Sequence, residues 1–159
     1  MTDRTKARQR DSGLTDEQST TLRLLVGQMI PASVDYGVPG ADDPAIFGRI
    51  LTATTTEETR IADALETLDR MAMTTHGASF SVLDDKDRAG VAAAFAASGS
   101  PAVQIITAAT LTSYYSDERV MASLGIEERA PFPQGYDVPQ GDWSLLDPVK
   151  GRPKFFREA

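Results

Sequence analysis

Residues 101–115 read PAVQIITAATLTSYY and contain no charged side chain. Ser98-Gly99-Ser100 breaks the chain before them, and Pro101 is favoured in the first turn of a helix. A helix without charge on any side belongs at the centre of a helical bundle. Several of its side chains are small enough to let neighbouring helices approach closely: Ala102, Thr107, Ala108, Ala109, Thr110 and Thr112. This stretch therefore predicts a helical protein built around residues 101–115.

Four further helices are predicted before this stretch, each from a residue that can cap a helix N-terminus. The caps are Thr15 with Gln18 as a capping box, Asp43 followed by Pro44, Thr55 with Glu58 as a second capping box, and Asp84. Pro31 and Gly77 are expected to end the first and the third helix. A short sixth helix is expected from Asp117 to Leu124, closed by Gly125.

Apolar residues recur at three- and four-residue spacing in the first four helices, which predicts one buried stripe in each. The expected stripes are Leu22, Leu25, Val26 and Met29; Ile46, Phe47, Ile50 and Leu51; Ile61, Leu65, Leu68 and Ala72; and Val91, Ala92, Phe95 and Ala96.

No stretch shows the sustained alternation that is typical of a strand. We therefore predict an all-α fold, a bundle of about five or six helices with a long irregular C-terminal arm. Three segments are expected: a disordered basic N-terminal arm over residues 1–13, a helical domain over 14–125, and an extended arm over 126–159.

The C-terminal arm concentrates aromatic side chains: Phe132, Tyr136, Trp143, Phe155 and Phe156. Closely spaced prolines among them are expected to exclude a helix and to disfavour a strand. Disordered segments are poor in aromatic residues, and the burial of one such ring stabilises a protein by about 2–3 kcal/mol. Either the chain's own helices or another protein must therefore cover these rings.

The composition excludes several classes of function. The chain has 159 residues, enough for one core, and its formal net charge of −7 argues against nucleic-acid binding. Because it has no cysteine, it has no disulfide, thiolate metal site, iron–sulfur cluster or cysteine nucleophile. No apolar run reaches the roughly 20 residues that cross a bilayer, so direct membrane insertion is not expected.

Candidate catalytic groups are few. His76 is the single histidine, which excludes a two-histidine metal site, and beside Gly77 it is expected to meet the carbonyl end of a helix. The pairs Asp42-Asp43 and Asp84-Asp85 are explained as helix starts. Tyr114-Tyr115 at the end of a core helix is more often packing than a redox pair. No residue pattern predicts a catalytic residue, a cofactor or a metal bound by this chain.

Six short stretches follow one another between about residues 22 and 150: Gln28-Met29-Ile30-Pro31, Pro39-Gly40-Ala41, Tyr114-Tyr115-Ser116-Asp117, Arg119-Val120, Leu124-Gly125 and Gly141-Asp142-Trp143-Ser144-Leu145-Leu146-Asp147-Pro148-Val149. In this order they resemble the gluconate 2-dehydrogenase subunit 3 family, the small subunits of flavin-dependent sugar and alcohol dehydrogenases. The tyrosine pair, followed later by the tryptophan stretch, makes the combination distinctive.

The resemblance implies a helical subunit without a redox centre of its own. Its partner would be a large catalytic subunit of the glucose-methanol-choline type, which holds FAD and oxidises a hydroxyl of a sugar or related alcohol, in a heterodimer or higher hetero-oligomer. The small subunit would serve the folding, stability and assembly of that partner. Many relatives carry a twin-arginine export signal, whereas Arg4, Arg8 and Arg10 are not adjacent here. A cytoplasmic complex is therefore expected, unless an export signal has been trimmed.

On this interpretation the arm lies across the catalytic subunit. Trp143, Phe132 and Tyr136 are the expected anchors, because aromatic residues are enriched at interface hot spots. The other residues expected at the interface are Leu145, Leu146, Tyr114 and Tyr115. Two alternatives stay open: a stand-alone helical binding module whose arm folds back on its own core, and a small hydrolase or isomerase built around His76 and a nearby carboxylate.

Overall fold

The computed structural model describes residues 13–126 and 140–152, which fall in two separate units. The described part of the first unit contains α1 (Asp16–Met29), α2 (Pro44–Thr54), α3 (Glu58–His76), α4 (Asp85–Ala97), α5 (Pro101–Tyr115) and α6 (Glu118–Ser123). Two 3-10 turns, Thr55–Glu57 and Phe80–Val82, precede α3 and α4. The described part of the second unit contains a 3-10 turn, Trp143–Leu146, and α7 (Asp147–Lys150). The prediction of an all-α fold is confirmed.

Most of the predicted helix boundaries are confirmed. Thr15 and Gln18 form the capping box of α1, in which each backbone N–H donates to the other residue's side-chain oxygen, at 3.0 and 3.2 Å. Asp43 and Asp84 cap α2 and α4 by accepting from backbone N–H groups of the first turn. Gly77 follows α3 with a φ of 72°, in the left-handed region that favours glycine at a helix end.

The predicted capping box of Thr55 and Glu58 is wrong. Thr55 continues the chain beyond α2 as a 3-10 turn, and its Oγ1 donates to the carbonyl oxygen of Leu51 at 3.1 Å. α3 begins at Glu58 without a side-chain cap. Because no loop separates α2 from α3, the threonine hydroxyl satisfies the end of the first helix instead of the start of the second.

The apolar stripes of α1 to α5 meet in one core. α2 packs mainly against α5, α3 packs against α4 and α5, and α1 packs against α3 and α4. The largest fully buried side chains are Phe80, Leu22, Ile46, Ile50, Ile61, Leu65, Leu68 and Ile106. Met29 and Leu51 are half-buried at the edge of this core. Ala96 was predicted to face inward but is exposed, because it lies in the last turn of α4 at the rim of the core.

The uncharged helix α5 contacts α2, α3 and α6. Ile106, Thr110 and Tyr114 are buried on its inner side. Thr110 Oγ1 donates to the carbonyl oxygen of Ile106 at 2.7 Å, so this buried hydroxyl is satisfied within the helix. The sequence placed α5 at the centre of the bundle, but its other side is exposed to solvent.

The expectation that prolines exclude a helix from the arm is wrong for residues 143–150. Pro148 lies in the first turn of α7, where its missing N–H breaks no helical hydrogen bond. Asp142 starts the preceding 3-10 turn, with its Oδ1 accepting from the backbone N–H of Ser144 at 2.9 Å. The division of the chain at residues 13 and 125 stays a prediction.

Within residues 13–126 and 140–152, no single helix is long and apolar enough to cross a membrane. α4 and α5 reach that length and composition only when taken together, and they meet at a bend of 114°.

Candidate functional site

The exposed side of α5 carries no charge. Gln104, Ala108, Leu111, Thr112 and Tyr115 have the spacing of one helix face, and all five are exposed. We call this set the α5 outer face. Two of its side chains are large and apolar: Leu111 is 43% exposed and Tyr115 is 54% exposed.

The exposed face of α3 has the opposite character, since it carries Asp63, Glu66 and Arg70. The centres of protein–protein interfaces are depleted in charged residues and enriched in aromatic ones. The α5 outer face has this composition, and the apolar side chains of Leu124 and Ile126, which follow α6, are also exposed. We therefore take the α5 outer face as the candidate binding surface of the first unit.

The two tyrosines at the end of α5 have different environments. Tyr114 is 5% exposed and packs in the core, whereas Tyr115 belongs to the α5 outer face. Their rings meet edge to face, with centroids 5.3 Å apart and planes at 88°. Burial raises the pKa of the Tyr114 hydroxyl, with smaller contributions from Tyr115 and Asp117. Tyr115 is thus the tyrosine of the pair that can reach a partner, and Tyr114 supports it from behind.

A group of ion pairs lies near the junction between α5 and α6 and joins these two helices to α2. Asp117 is 4% exposed and caps α6 by accepting from the backbone N–H of Arg119 at 3.1 Å. Arg49 Nη2 donates to Asp117 Oδ2 at 2.6 Å, and Arg119 Nε donates to Asp117 Oδ1 at 2.8 Å. Arg119 also binds Asp43, the N-cap of α2. We call these four residues the Asp117 cluster.

The Asp117 cluster lowers the pKa of both its carboxyl groups. Hydrogen bonds from Arg119 and Arg49 hold the pKa of Asp117 well below its usual range, against the opposing effect of burial. The Arg119 guanidinium and two backbone N–H groups of α2 lower the pKa of Asp43 in the same way. Both carboxylates are therefore ionised at neutral pH and keep Arg119 charged and in place.

Arg49 extends the Asp117 cluster to the backbone of α5, because its Nη2 also donates to the carbonyl oxygen of Ser113 at 3.4 Å. The side chain of Arg49, in the middle of α2, therefore reaches the last turn of α5. This arrangement holds the end of α5 so that Tyr115 stays on the exposed side. Its chemistry is structural, since the two carboxylates are occupied by arginines.

Two of the sequence stretches that carried the family resemblance meet in the α1–α2 connection. The backbone N–H of Ala41 donates to the carbonyl oxygen of Ile30 at 2.9 Å. A side chain at Gly40 would lie 2.9 Å from the backbone nitrogen of Ala32 and 3.2 Å from the carbonyl oxygen of Ile30. Position 40 therefore favours glycine, because the backbone before α2 passes close to the backbone that follows α1.

The described part of the arm, residues 140–152, buries none of its side chains. Trp143 is 64% exposed and Leu145 is 75% exposed, and Leu146 and Val149 are also exposed. The other two predicted anchors, Phe132 and Tyr136, lie outside the described residues. The assignment of these residues to a partner interface stays a prediction.

The described residues contain a polar surface depression and a small apolar cleft. The depression lies at the start of α3, is open to solvent and has a volume of about 340 Å³, with Glu57, Arg60 and Asp63 in its lining. An apolar cleft between α1, α4 and α5, lined by Leu25, Phe95 and Ile106 among others, has a volume of about 30 Å³, roughly that of one water molecule. Among residues 13–126 and 140–152, no group of three or more histidine, aspartate or glutamate side chains could hold a metal ion. His76, the last residue of α3, lies with Nδ1 3.2 Å from Asp87 Oδ2 and so links α3 to α4.

A family model matches most of the chain. The family model described as gluconate 2-dehydrogenase subunit 3 matches residues 16–127. The match starts at the first residue of α1 and includes the Asp117 cluster and the α5 outer face, whereas Trp143 lies beyond it. No curated protein and no solved structure matches the chain.

Proposed function

Because this chain belongs to the gluconate 2-dehydrogenase subunit 3 family, we propose that it binds a large FAD-containing catalytic subunit and supports its folding, stability and assembly. Membership makes the chain a small subunit of a dehydrogenase complex with a catalytic partner subunit. The proposal adds that the partner is of the glucose-methanol-choline type and oxidises a hydroxyl of a sugar or related alcohol. The expected cytoplasmic location stays a prediction.

The observation that carries the proposal is the uncovered apolar surface in both units. Leu111 and Tyr115 are exposed on α5, and Trp143 and Leu145 are exposed in the arm. Burial of one such side chain stabilises by about 1.5–3 kcal/mol, although association costs part of that gain. Several anchors on one chain therefore favour a complex in which a partner covers them.

The arm presents its anchors on a preformed turn. Side chains at i and i+3 of a 3-10 turn eclipse, so Trp143 and Leu146 lie on one side of it. Asp142 caps this turn, and Lys150 Nζ binds Asp147 Oδ1 at 2.8 Å in the helical turn that follows. A preformed turn loses less conformational entropy on binding, which favours the arm as a contact element.

The proposal gives this chain no step of the oxidation. His76 and Asp87 contact each other across the α3–α4 pair, and the carboxylates of the Asp117 cluster are engaged by arginines. FAD, bound by the partner, would accept the hydride. The contribution of this chain is the surface that it offers to the catalytic subunit.

The assembly role is tested by producing the catalytic subunit with and without this chain. We expect the catalytic subunit made alone to be less abundant and to hold less flavin per polypeptide, as measured by absorbance near 450 nm. Equal yield and equal flavin content in the two preparations would contradict the assembly role while leaving binding possible.

Limited proteolysis separates this proposal from a stand-alone binding module. In the proposed complex, cleavage sites beyond Gly125 become protected when the catalytic subunit is present. Equal protection of these sites in the purified chain and in the complex would favour an arm that folds back on its own core.

A further inference from the structure

The connection between α1 and α2 contains a short hairpin. Ser33 and Val38 exchange two backbone hydrogen bonds, each of 3.0 Å, and the N–H of Gly37 donates to the carbonyl oxygen of Val34 at 3.1 Å. Gly37 has a φ of 63°, which favours glycine. We call residues 33–38 the 33–38 hairpin. Its own backbone hydrogen bonds hold it in shape.

The tip of the 33–38 hairpin carries two uncovered apolar side chains. Val34 is 95% exposed and Tyr36 is 79% exposed, the highest values among the large apolar side chains in the described residues. Turn positions favour glycine, proline, asparagine, aspartate and serine, so the turn itself does not explain these two residues. Asp35 lies between them and is also exposed.

The base of the 33–38 hairpin is fixed to the end of the bundle where Tyr115 is found. Ala41, three residues beyond the hairpin, is buried and bonded to Ile30. Asp43 then binds Arg119 at 2.8 Å, next to the α5–α6 junction. The hairpin and the α5 outer face therefore extend from one rigidly connected region of the first unit.

We propose that the 33–38 hairpin inserts Val34 and Tyr36 into an apolar cleft on the catalytic subunit. This inference rests on the proposed function and adds to it a second point of contact for the first unit. The hairpin is already ordered, so its insertion loses little backbone entropy, and the two side chains bury apolar surface that nothing in residues 13–126 covers.

Charge disfavours a second copy of this chain as the occupant. Pairing of two hairpins would bring Asp35 against Asp35, and the chain as a whole has a net charge of −7. Like charges across an interface suppress association. The cleft that receives the hairpin is therefore expected to have basic or hydrogen-bond-donating groups at its rim, facing Asp35.

Photo-crosslinking in the assembled complex tests the contact directly. A photoreactive phenylalanine derivative is placed at position 36, and a control carries it at Val82, which is 70% exposed in the α3–α4 connection. We expect position 36 to crosslink to the catalytic subunit and position 82 not to do so. Crosslinks from position 36 to a second copy of this chain only, or none in an assembled complex, would overturn the inference.

Affinity measurements separate this inference from the proposed function. The double variant Val34→Ser with Tyr36→Ser should raise the Kd for the catalytic subunit about 10- to 100-fold without lowering the Tm of this chain, because both side chains are exposed. An unchanged Kd in this variant, with a raised Kd in Trp143→Ala, would refute the hairpin contact alone. Failure of the unsubstituted chain to bind any catalytic subunit would refute both.

Discussion

Arg119 binds Asp43 with both terminal nitrogens of its guanidinium group, at 2.8 and 3.1 Å, although the two residues are 76 positions apart. Asp43 caps α2 and Arg119 lies in α6, so this bidentate contact fixes the start of one helix against the start of another. The same arginine also binds the buried carboxylate of Asp117. The α5–α6 junction, where Tyr115 is exposed, is thus positioned by ion pairs behind it.

Replacement of Asp117 by asparagine should destabilise the bundle by about 1–3 kcal/mol. The amide has one acceptor oxygen where the carboxylate has two, so it cannot accept from Arg49 and Arg119 as the carboxylate does. Its NH₂ group would also face a guanidinium group at a position that is 4% exposed. Chemical denaturation followed by circular dichroism measures the change in the free energy of unfolding.

The matched control for this prediction is Arg60→Ala. Arg60 pairs with Glu57 at 2.8 Å, but both side chains are exposed and lie three residues apart. Such surface pairs contribute about 0–1 kcal/mol. An equal loss of stability in the two variants would show that the Asp117 cluster has no special structural role.

Acid should lower the stability of the bundle, because it protonates the carboxyl groups of the Asp117 cluster. The folded-state pKa values of Asp117 and Asp43 are lowered, so the unfolded chain takes up protons at a higher pH than the folded chain does. The stabilisation is complete above the ordinary pKa of about 4 and is lost as pH falls below it.

Thermal unfolding between about pH 6 and pH 2.5 measures this loss, with Asp117→Asn as the comparison. The Tm difference between the unsubstituted chain and the variant should narrow as pH falls, since the variant lacks the titrating carboxyl group. A difference that stays constant or widens in acid would contradict the assigned pKa shift.

Gly40→Ala should destabilise the α1–α2 connection, whereas Gly48→Ala should not. A Cβ at Gly40 collides with Asp42 and with the backbone of Ala32, and such overpacking costs about 1–3 kcal/mol. Gly48 lies within α2, and no atom lies within 4 Å of the position that an alanine Cβ would take there. Alanine at this position should therefore stabilise the helix by about 0.5–1 kcal/mol. Melting curves that move in the same direction for both variants would count against the close approach at Gly40.

The two tyrosines of α5 should separate stability from binding. Tyr114→Ala removes a buried ring and should lower the free energy of unfolding by about 3–5 kcal/mol. Tyr115→Ala should leave the unfolding transition nearly unchanged but weaken binding of the catalytic subunit roughly tenfold, as measured by surface plasmon resonance. Unchanged binding in a folded Tyr115→Ala chain would remove the α5 outer face from the proposed interface.

The helices were predictable because their signals are local. The capping box at Thr15, the cap at Asp84 and the stop at Gly77 each depend on residues within one turn of each other. The prediction failed at Thr55, where the same residue could end one helix or begin the next. It also failed at Pro148, since the position of a proline within a turn decides its effect.

The Asp117 cluster could not be predicted, because Arg49 and Asp43 reach Asp117 and Arg119 across more than 60 residues. Asp117 was recognisable as a helix cap, but no local pattern indicates its second partner. The α5 outer face had a usable signal: Leu111 and Tyr115 share the spacing of one helix face. No sequence signal indicated that Val34 and Tyr36 are exposed, because apolar residues in a loop can equally well pack into the core.

Purification of this chain, affinity-tagged at its natural level in its own host, tests the central claim most directly. The account predicts that a larger polypeptide co-purifies in fixed proportion, that the complex is yellow with a flavin absorbance maximum near 450 nm, and that it reduces a dye with a sugar or related alcohol as donor. A colourless chain that purifies alone, without such a polypeptide and without dehydrogenase activity, would contradict it.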